Sequence, residues 1–130
     1  LADRVWNDPR PDLLVAPPIT PARLRERGFN QSVEIARVVG RALGVPQARR
    51  GLHKVRETAP QQGLGRSARK ANLRGAFRCD RVLEGMRVAV VDDVLTTGAT
   101  ASQLGAVLRR AGAREVVVWT VARVGAACSR

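Results

Sequence analysis

Arg87-Val88-Ala89-Val90-Val91-Asp92-Asp93-Val94-Leu95-Thr96-Thr97-Gly98-Ala99-Thr100 is the stretch that decides the fold. Val88 to Val91 form a short, unbroken apolar run rich in β-branched residues, the pattern of a strand buried on both faces of a parallel sheet. Asp92 and Asp93 end that strand. After Thr96, Thr97 and Gly98 the apolar residues change to helical spacing, with Ala101, Leu104, Val107, Leu108 and Ala111 recurring until Gly112 stops the pattern. The order is strand, acidic pair, hydroxyl and glycine turn, helix.

A turn that feeds a helix N-terminus presents unpaired backbone N–H groups and the positive end of the helix dipole, which together bind phosphate. Gly98 permits a close backbone approach, and the hydroxyls of Thr96, Thr97 and Thr100 can donate to phosphate oxygens. Asp92 and Asp93 repel phosphate, so they suit sugar hydroxyls or a hydrated Mg²⁺. A sugar phosphate satisfies both ends of the loop. By itself an Asp-Asp pair after a strand is most often a solvated strand end or a helix cap; the flanking strand, turn and helix favour the functional reading.

Outward from this stretch, residues 1–12 read as a polar tail or covering arm around Trp6, and residues 13–130 as one domain. Leu13 to Ala16 is a short buried strand ended by Pro17 and Pro18. The loop after it falls at the same sheet edge as the loop after Val94, because ligands of open parallel sheets gather beyond the carboxyl ends of the strands. A helix is expected from an Asn30 N-cap to Leu43, with Ile35, Ala36, Val39, Ala42 and Leu43 inward and Gly44 as its stop. Val45 to Val55 holds a weak second strand, disfavoured by Pro46 and the Arg49-Arg50 pair. Residues 56–72, rich in Gln, Gly, Ser and Arg, cannot bury a core face and are expected to be mobile. Gly75 to Cys79 reads as a strand, Leu83 to Met86 as a turn, and Glu115 to Val121 as a final buried strand containing Trp119. The whole predicts an α/β fold: a mainly parallel central sheet flanked by helices.

A chain of 130 residues, 45% hydrophobic, suits one compact core. No run approaches the length of a membrane-spanning helix and no signal peptide is recognised, so a cytoplasmic protein without membrane insertion is expected. Cys79 and Cys128 lack metal-site spacing and read as reduced thiols. His53, the only histidine, reads as a surface or packing residue. The net charge of +12 is concentrated: Arg23 to Arg78 holds 14 basic against 3 acidic residues. Nearly all are arginines, which favours bidentate phosphate contacts; a pyrophosphate and a nucleic-acid strand each explain such a field.

Val90 to Thr100 resembles, over its whole length, the phosphoribosyl-pyrophosphate (PRPP) motif of type I phosphoribosyltransferases. Arg23-Leu24-Arg25-Glu26-Arg27-Gly28-Phe29-Asn30-Gln31, Thr58 to Leu64 with Arg66, and Asn72 to Phe77 resemble the competence protein F (ComF) family, whose members are often labelled amidophosphoribosyltransferase-like. The resemblance covers roughly residues 13–123. It implies a phosphoribosyltransferase-like fold and transfer of a 5-phosphoribosyl group from PRPP to an acceptor with release of pyrophosphate. Asp92 and Asp93 are then the catalytic and Mg²⁺-binding pair, and Thr96, Thr97, Gly98, Ala99 and Thr100 hold the 5′-phosphate. One or two of Arg23, Arg25 and Arg27 reach the pyrophosphate, with Arg23 and Arg27 taken as substrate-binding, or all three are solvated surface charges. Residues 56–72 occupy the place of a flexible lid, where Arg56, Arg66, Arg69 and Lys70 can neutralise the leaving group while water is excluded. Arg66 is taken as substrate-binding. The resemblance further implies a pyrophosphate-cradling loop after the first strand, in which Ala16-Pro17 or Pro17-Pro18 is a candidate cis bond. It also implies a cysteine-rich zinc-binding segment upstream of Leu1.

Nucleobase enzymes of this group stack the base in a hood, yet the aromatic residues are only Trp6, Phe29, Phe77 and Trp119. Trp119 reads as core, which leaves Trp6 as the stacking candidate. No N-terminal glutaminase cysteine is present in the chain. Two hypotheses stand: a Mg²⁺-dependent phosphoribosyltransferase of unassigned acceptor, and a non-catalytic protein of the same fold that binds single-stranded DNA or a competence-machinery protein during DNA uptake. The expected partners are PRPP or pyrophosphate, that DNA or protein, and a second copy of the chain as a homodimer.

Overall fold

The computed structural model describes residues 9–56, 65, 75–95 and 99–123, with backbone alone for 93–95, 99 and 121–123. Its elements in chain order are β1 (Leu13–Val15), α1 (Pro21–Arg27), α2 (Gln31–Leu43), β2 (Leu52–Lys54), β3 (Phe77–Cys79), β4 (Arg87–Leu95), α3 (Ala99–Arg110) and β5 (Glu115–Arg123). β1, β4 and β5 form a parallel sheet with β4 in the middle, and β2 and β3 form a separate antiparallel pair.

The apolar run decides the layering. Val88, Ala89 and Val90 are fully buried and Val91 is 1% exposed, because alternate members face opposite sides of the sheet. Val88 and Val90 pack with Leu13, Val15, Leu104 and Leu108, so α3 covers one face. Ala89 and Val91 pack with Leu14, Ala36, Leu43 and Trp119, so α2 covers the other. The result is an α/β sandwich of helix, parallel sheet and helix. Full burial of a leucine such as Leu104 or Leu108 contributes about 1.5–3 kcal/mol.

α2 has the expected ends: the Asn30 side chain accepts from the Ser32 N–H, and Gly44, at φ 71°, closes the helix. Of the residues expected inward, Ala36 and Leu43 are buried and Ile35 and Val39 pack partly buried against the core. Ala42 is exposed, whereas Ser32, Ala36, Gly40 and Leu43 are buried, a stripe that recurs about every four residues. Gly40 lies there because a Cβ would come within 2.8 Å of the Val45 carbonyl and 3.3 Å of the Leu14 side chain. Residues 21–27, to which the sequence reading assigned no element, form α1. It has no buried residue and is fixed by its ends: Thr20 caps it, Pro21 starts it, and Gly28 at φ 84° stops it.

Three further expectations are adjusted. The weak second strand contracts to Leu52–Lys54, while Gln47 makes a parallel bridge to Leu14 along the outer edge of β1. The strand expected at 75–79 spans Phe77–Cys79 and runs antiparallel to β2. The candidate cis bonds at Pro17 and Pro18 are trans, as no cis peptide occurs among the described residues. Trp119 is 5% exposed and sits in the core, as expected. Trp6, Arg66, Arg69, Lys70 and most of 56–72 lie outside the described residues.

Candidate active site

Parallel pairing of β1 with β4 brings Val15 level with Val90, so the two strands deliver their following residues to one edge. Asp92 is two residues past Val90 and Pro17 two past Val15. Hydrogen bonds from the start of α2 join them. The Asn30 Nδ2 amide donates to the Pro17 carbonyl at 3.0 Å. Asn30 Oδ1 accepts from the Ser32 N–H at 3.0 Å. Ser32 Oγ donates to Asp92 Oδ1 at 2.9 Å. Asp92 is half-buried and Ser32 is 6% exposed. The carboxylate thus lies against the first turn of α2, whose N–H groups and dipole favour negative charge.

β4 runs on through Asp93 to Leu95, and α3 begins at Ala99 with Thr100 half-buried in its first turn. A helix N-terminus therefore follows the acidic strand end after a connection of three residues. Thr96, Thr97 and Gly98 make up that connection and lie outside the described residues, as does the Asp93 side chain. Ala99 is placed by its backbone. Arg23 and Arg27 sit at the third and last positions of α1, between the loop after β1 and Asn30, and both are exposed. The Arg23 backbone N–H donates to Thr20 Oγ1 at 3.2 Å. Arg56 is exposed at the end of β2, and Arg66 is outside the description.

Elsewhere among the described residues, Arg37 pairs with Glu34, Arg87 with Glu115, and Arg78 Nε lies 3.1 Å from Asp80 Oδ1. His53 Nε2 is 3.0 Å from Asp80 Oδ2, so the histidine belongs to a surface cluster on the β2–β3 pair. Sequence reading missed the link from Pro17 through Asn30 and Ser32 to Asp92. The available signal was a serine on the inward stripe of α2, where a polar group needs a partner.

Comparison with known proteins follows from this geometry. A glutamine PRPP amidotransferase from B. subtilis, solved with ADP and GMP, superposes with a TM-score of 0.58 and 27% identity over 89% of this chain and 24% of that one. The fold is that of the type I phosphoribosyltransferases. No family model matches. The DNA utilization protein YhgH of Salmonella typhi is 37% identical over 95% of this chain and 54% of its own length. Competence protein F of Haemophilus influenzae is 34% identical over 87% of this chain and 51% of its own. The chain is similar over most of its length to proteins of the competence protein F family, and it spans about half the length of the curated relatives it matches.

Proposed function

We propose that the chain binds PRPP at the carboxyl edge of its parallel sheet and transfers the 5-phosphoribosyl group to an acceptor, releasing pyrophosphate. One observation carries this reading: Asp92 is half-buried near the carboxyl end of the central strand and accepts a hydrogen bond from Ser32 Oγ, at the start of the helix that Asn30 ties to the loop after β1. In the transfer the bond from ribose C1 to the pyrophosphate oxygen breaks, its electron pair leaves with pyrophosphate, and the acceptor's lone pair forms the new bond at C1. Asp92 and Asp93 hold ribose hydroxyls, Thr96 to Thr100 hold the 5′-phosphate, and Arg23, Arg27 and Arg66 are the cations available to the leaving group. Charge fixed in place before the reaction contributes several kcal/mol in such sites.

Mg²⁺ suits this donor set, being a hard cation that binds through one or two carboxylates together with substrate phosphates and water. Held by one or two carboxylates, it would take the rest of its oxygens from substrate and water. Bound there, it would supply positive charge to the departing pyrophosphate. Calorimetry with PRPP, with and without Mg²⁺, tests the reading. Heat is expected only with Mg²⁺ and should vanish in the Asp92→Asn, Asp93→Asn double variant while circular dichroism stays unchanged. No heat at millimolar PRPP would remove the enzyme reading.

A second reading rests on α1, where Arg23, Arg25 and Arg27 are all exposed, and on the DNA utilization and competence names of the relatives. In it the fold binds single-stranded DNA or a partner protein during DNA uptake without catalysis. DNA affinity would then fall steeply with salt, survive the double Asp variant, and weaken when Arg23, Arg25 and Arg27 become alanine.

A further inference from the structure

The inward stripe of α2 consists of Ser32, Ala36, Gly40 and Leu43. Alanine at position 32 would leave no hydroxyl to satisfy on this buried stripe; the serine hydroxyl has a specific use, donating to Asp92. A carboxylate at the end of a side chain rotates broadly about its last torsion. A donor that is itself fixed, 6% exposed and bonded through its N–H to Asn30, restricts that rotation.

We propose that Ser32 is a positioning residue that sets the orientation of Asp92 for the sugar, an inference resting on the PRPP reading above. Through Asn30 and the Pro17 carbonyl the same short path is anchored to the loop after β1. The edge that receives pyrophosphate and the acid that receives ribose are therefore referenced to one helical turn. A shift of the loop after β1 is passed to Asp92 through the first residues of α2.

The test is calorimetry of the full chain with two probes, Mg²⁺ with PRPP and inorganic phosphate, on the wild type, Ser32→Ala and Ser32→Thr. Inorganic phosphate engages only the phosphate end, so it does not depend on Asp92. In Ser32→Ala the affinity for PRPP is expected to fall about tenfold, the usual loss when a supporting hydrogen bond to a ligating group is removed. Affinity for phosphate should change less than about twofold, and Ser32→Thr, which restores the hydroxyl, should recover most of the loss. Equal PRPP binding in wild type and Ser32→Ala would overturn the proposal while leaving the PRPP reading intact. So would a parallel loss for both probes, which marks a merely structural serine. A wild type that binds no PRPP removes the functional reading and this inference together. Should Ser32→Ala unfold, Ser32→Cys keeps the volume with a weak donor, and the same comparison applies.

Discussion

The two ends of β4 treat charge in opposite ways. At the amino end Arg87 is only 8% exposed and its charge is met inside the protein. Its Nη1 lies 2.5 Å from Glu115 Oε1 on the neighbouring strand. Its N–H donates to Asp12 Oδ2 at 2.8 Å, and its carbonyl accepts from the Asp12 N–H at 2.7 Å. At the carboxyl end Asp92 accepts a hydrogen bond from the Ser32 hydroxyl, a contact that orients the carboxylate. The first arrangement closes the sheet; the second orients an acid at its rim. On the proposed function, one strand serves stability at one end and recognition at the other.

Substitutions at each end can break that division. Asp92→Asn should have the largest effect, lowering PRPP affinity on the order of 100-fold, as loss of one fixed electrostatic group in such sites does. Its urea midpoint should move little. Glu115→Ala should do the reverse. It leaves a buried guanidinium without its acid, and because the Glu115 side chain is 45% exposed the cost falls below that of a fully buried pair, at about 2 kcal/mol. PRPP affinity of that variant should stay within about twofold at temperatures where it is folded. Gly40→Ala brings a methyl within 2.8 Å of the Val45 carbonyl and 3.3 Å of the Leu14 side chain on β1, so α2 must shift; the overpacking, partly offset by better helix propensity, should cost about 1–2 kcal/mol in urea unfolding. Because Ser32 rides on α2, this variant should also weaken PRPP, which would sharpen the contrast with Glu115→Ala. Asp12→Asn is the mildest change. It weakens one charge-assisted hydrogen bond to the Arg87 N–H, for about 1 kcal/mol of stability and no loss of ligand.

The elements readable from sequence were those whose own burial writes the pattern. Val88 to Val91, buried on both faces, and Leu104 with Leu108, four apart on α3, could be read without knowing their partners. Asn30 and Gly44 marked the ends of α2 because caps are local chemistry. α1 lacked any apolar period, since none of its residues is buried; only Thr20, Pro21 and Gly28 announced it. The β2–β3 pair was harder, because Lys54 and Phe77 pair across a long intervening segment and nothing near either residue encodes the other. The same holds at the site. The acid at 92 was evident from its place after the strand, whereas its contact with Ser32, 60 positions away, follows only from packing α2 on the sheet.

The pairing of β1 with β4 also carries a cost in time. Asp12 and Arg87, joined at the start of both strands, are 75 positions apart in the chain. At a synthesis rate of about 5–20 residues per second, roughly 4–15 s pass between the emergence of one and the other. Throughout that interval Leu13, Leu14 and Val15, among the most buried residues of the finished fold, have no sheet to join. Residues 36–48 of the first half already pack on Leu14, but closing the long loop to β4 carries an added entropic cost that slows sheet formation. The nascent amino-terminal half is the stage at which this domain most needs protection from aggregation.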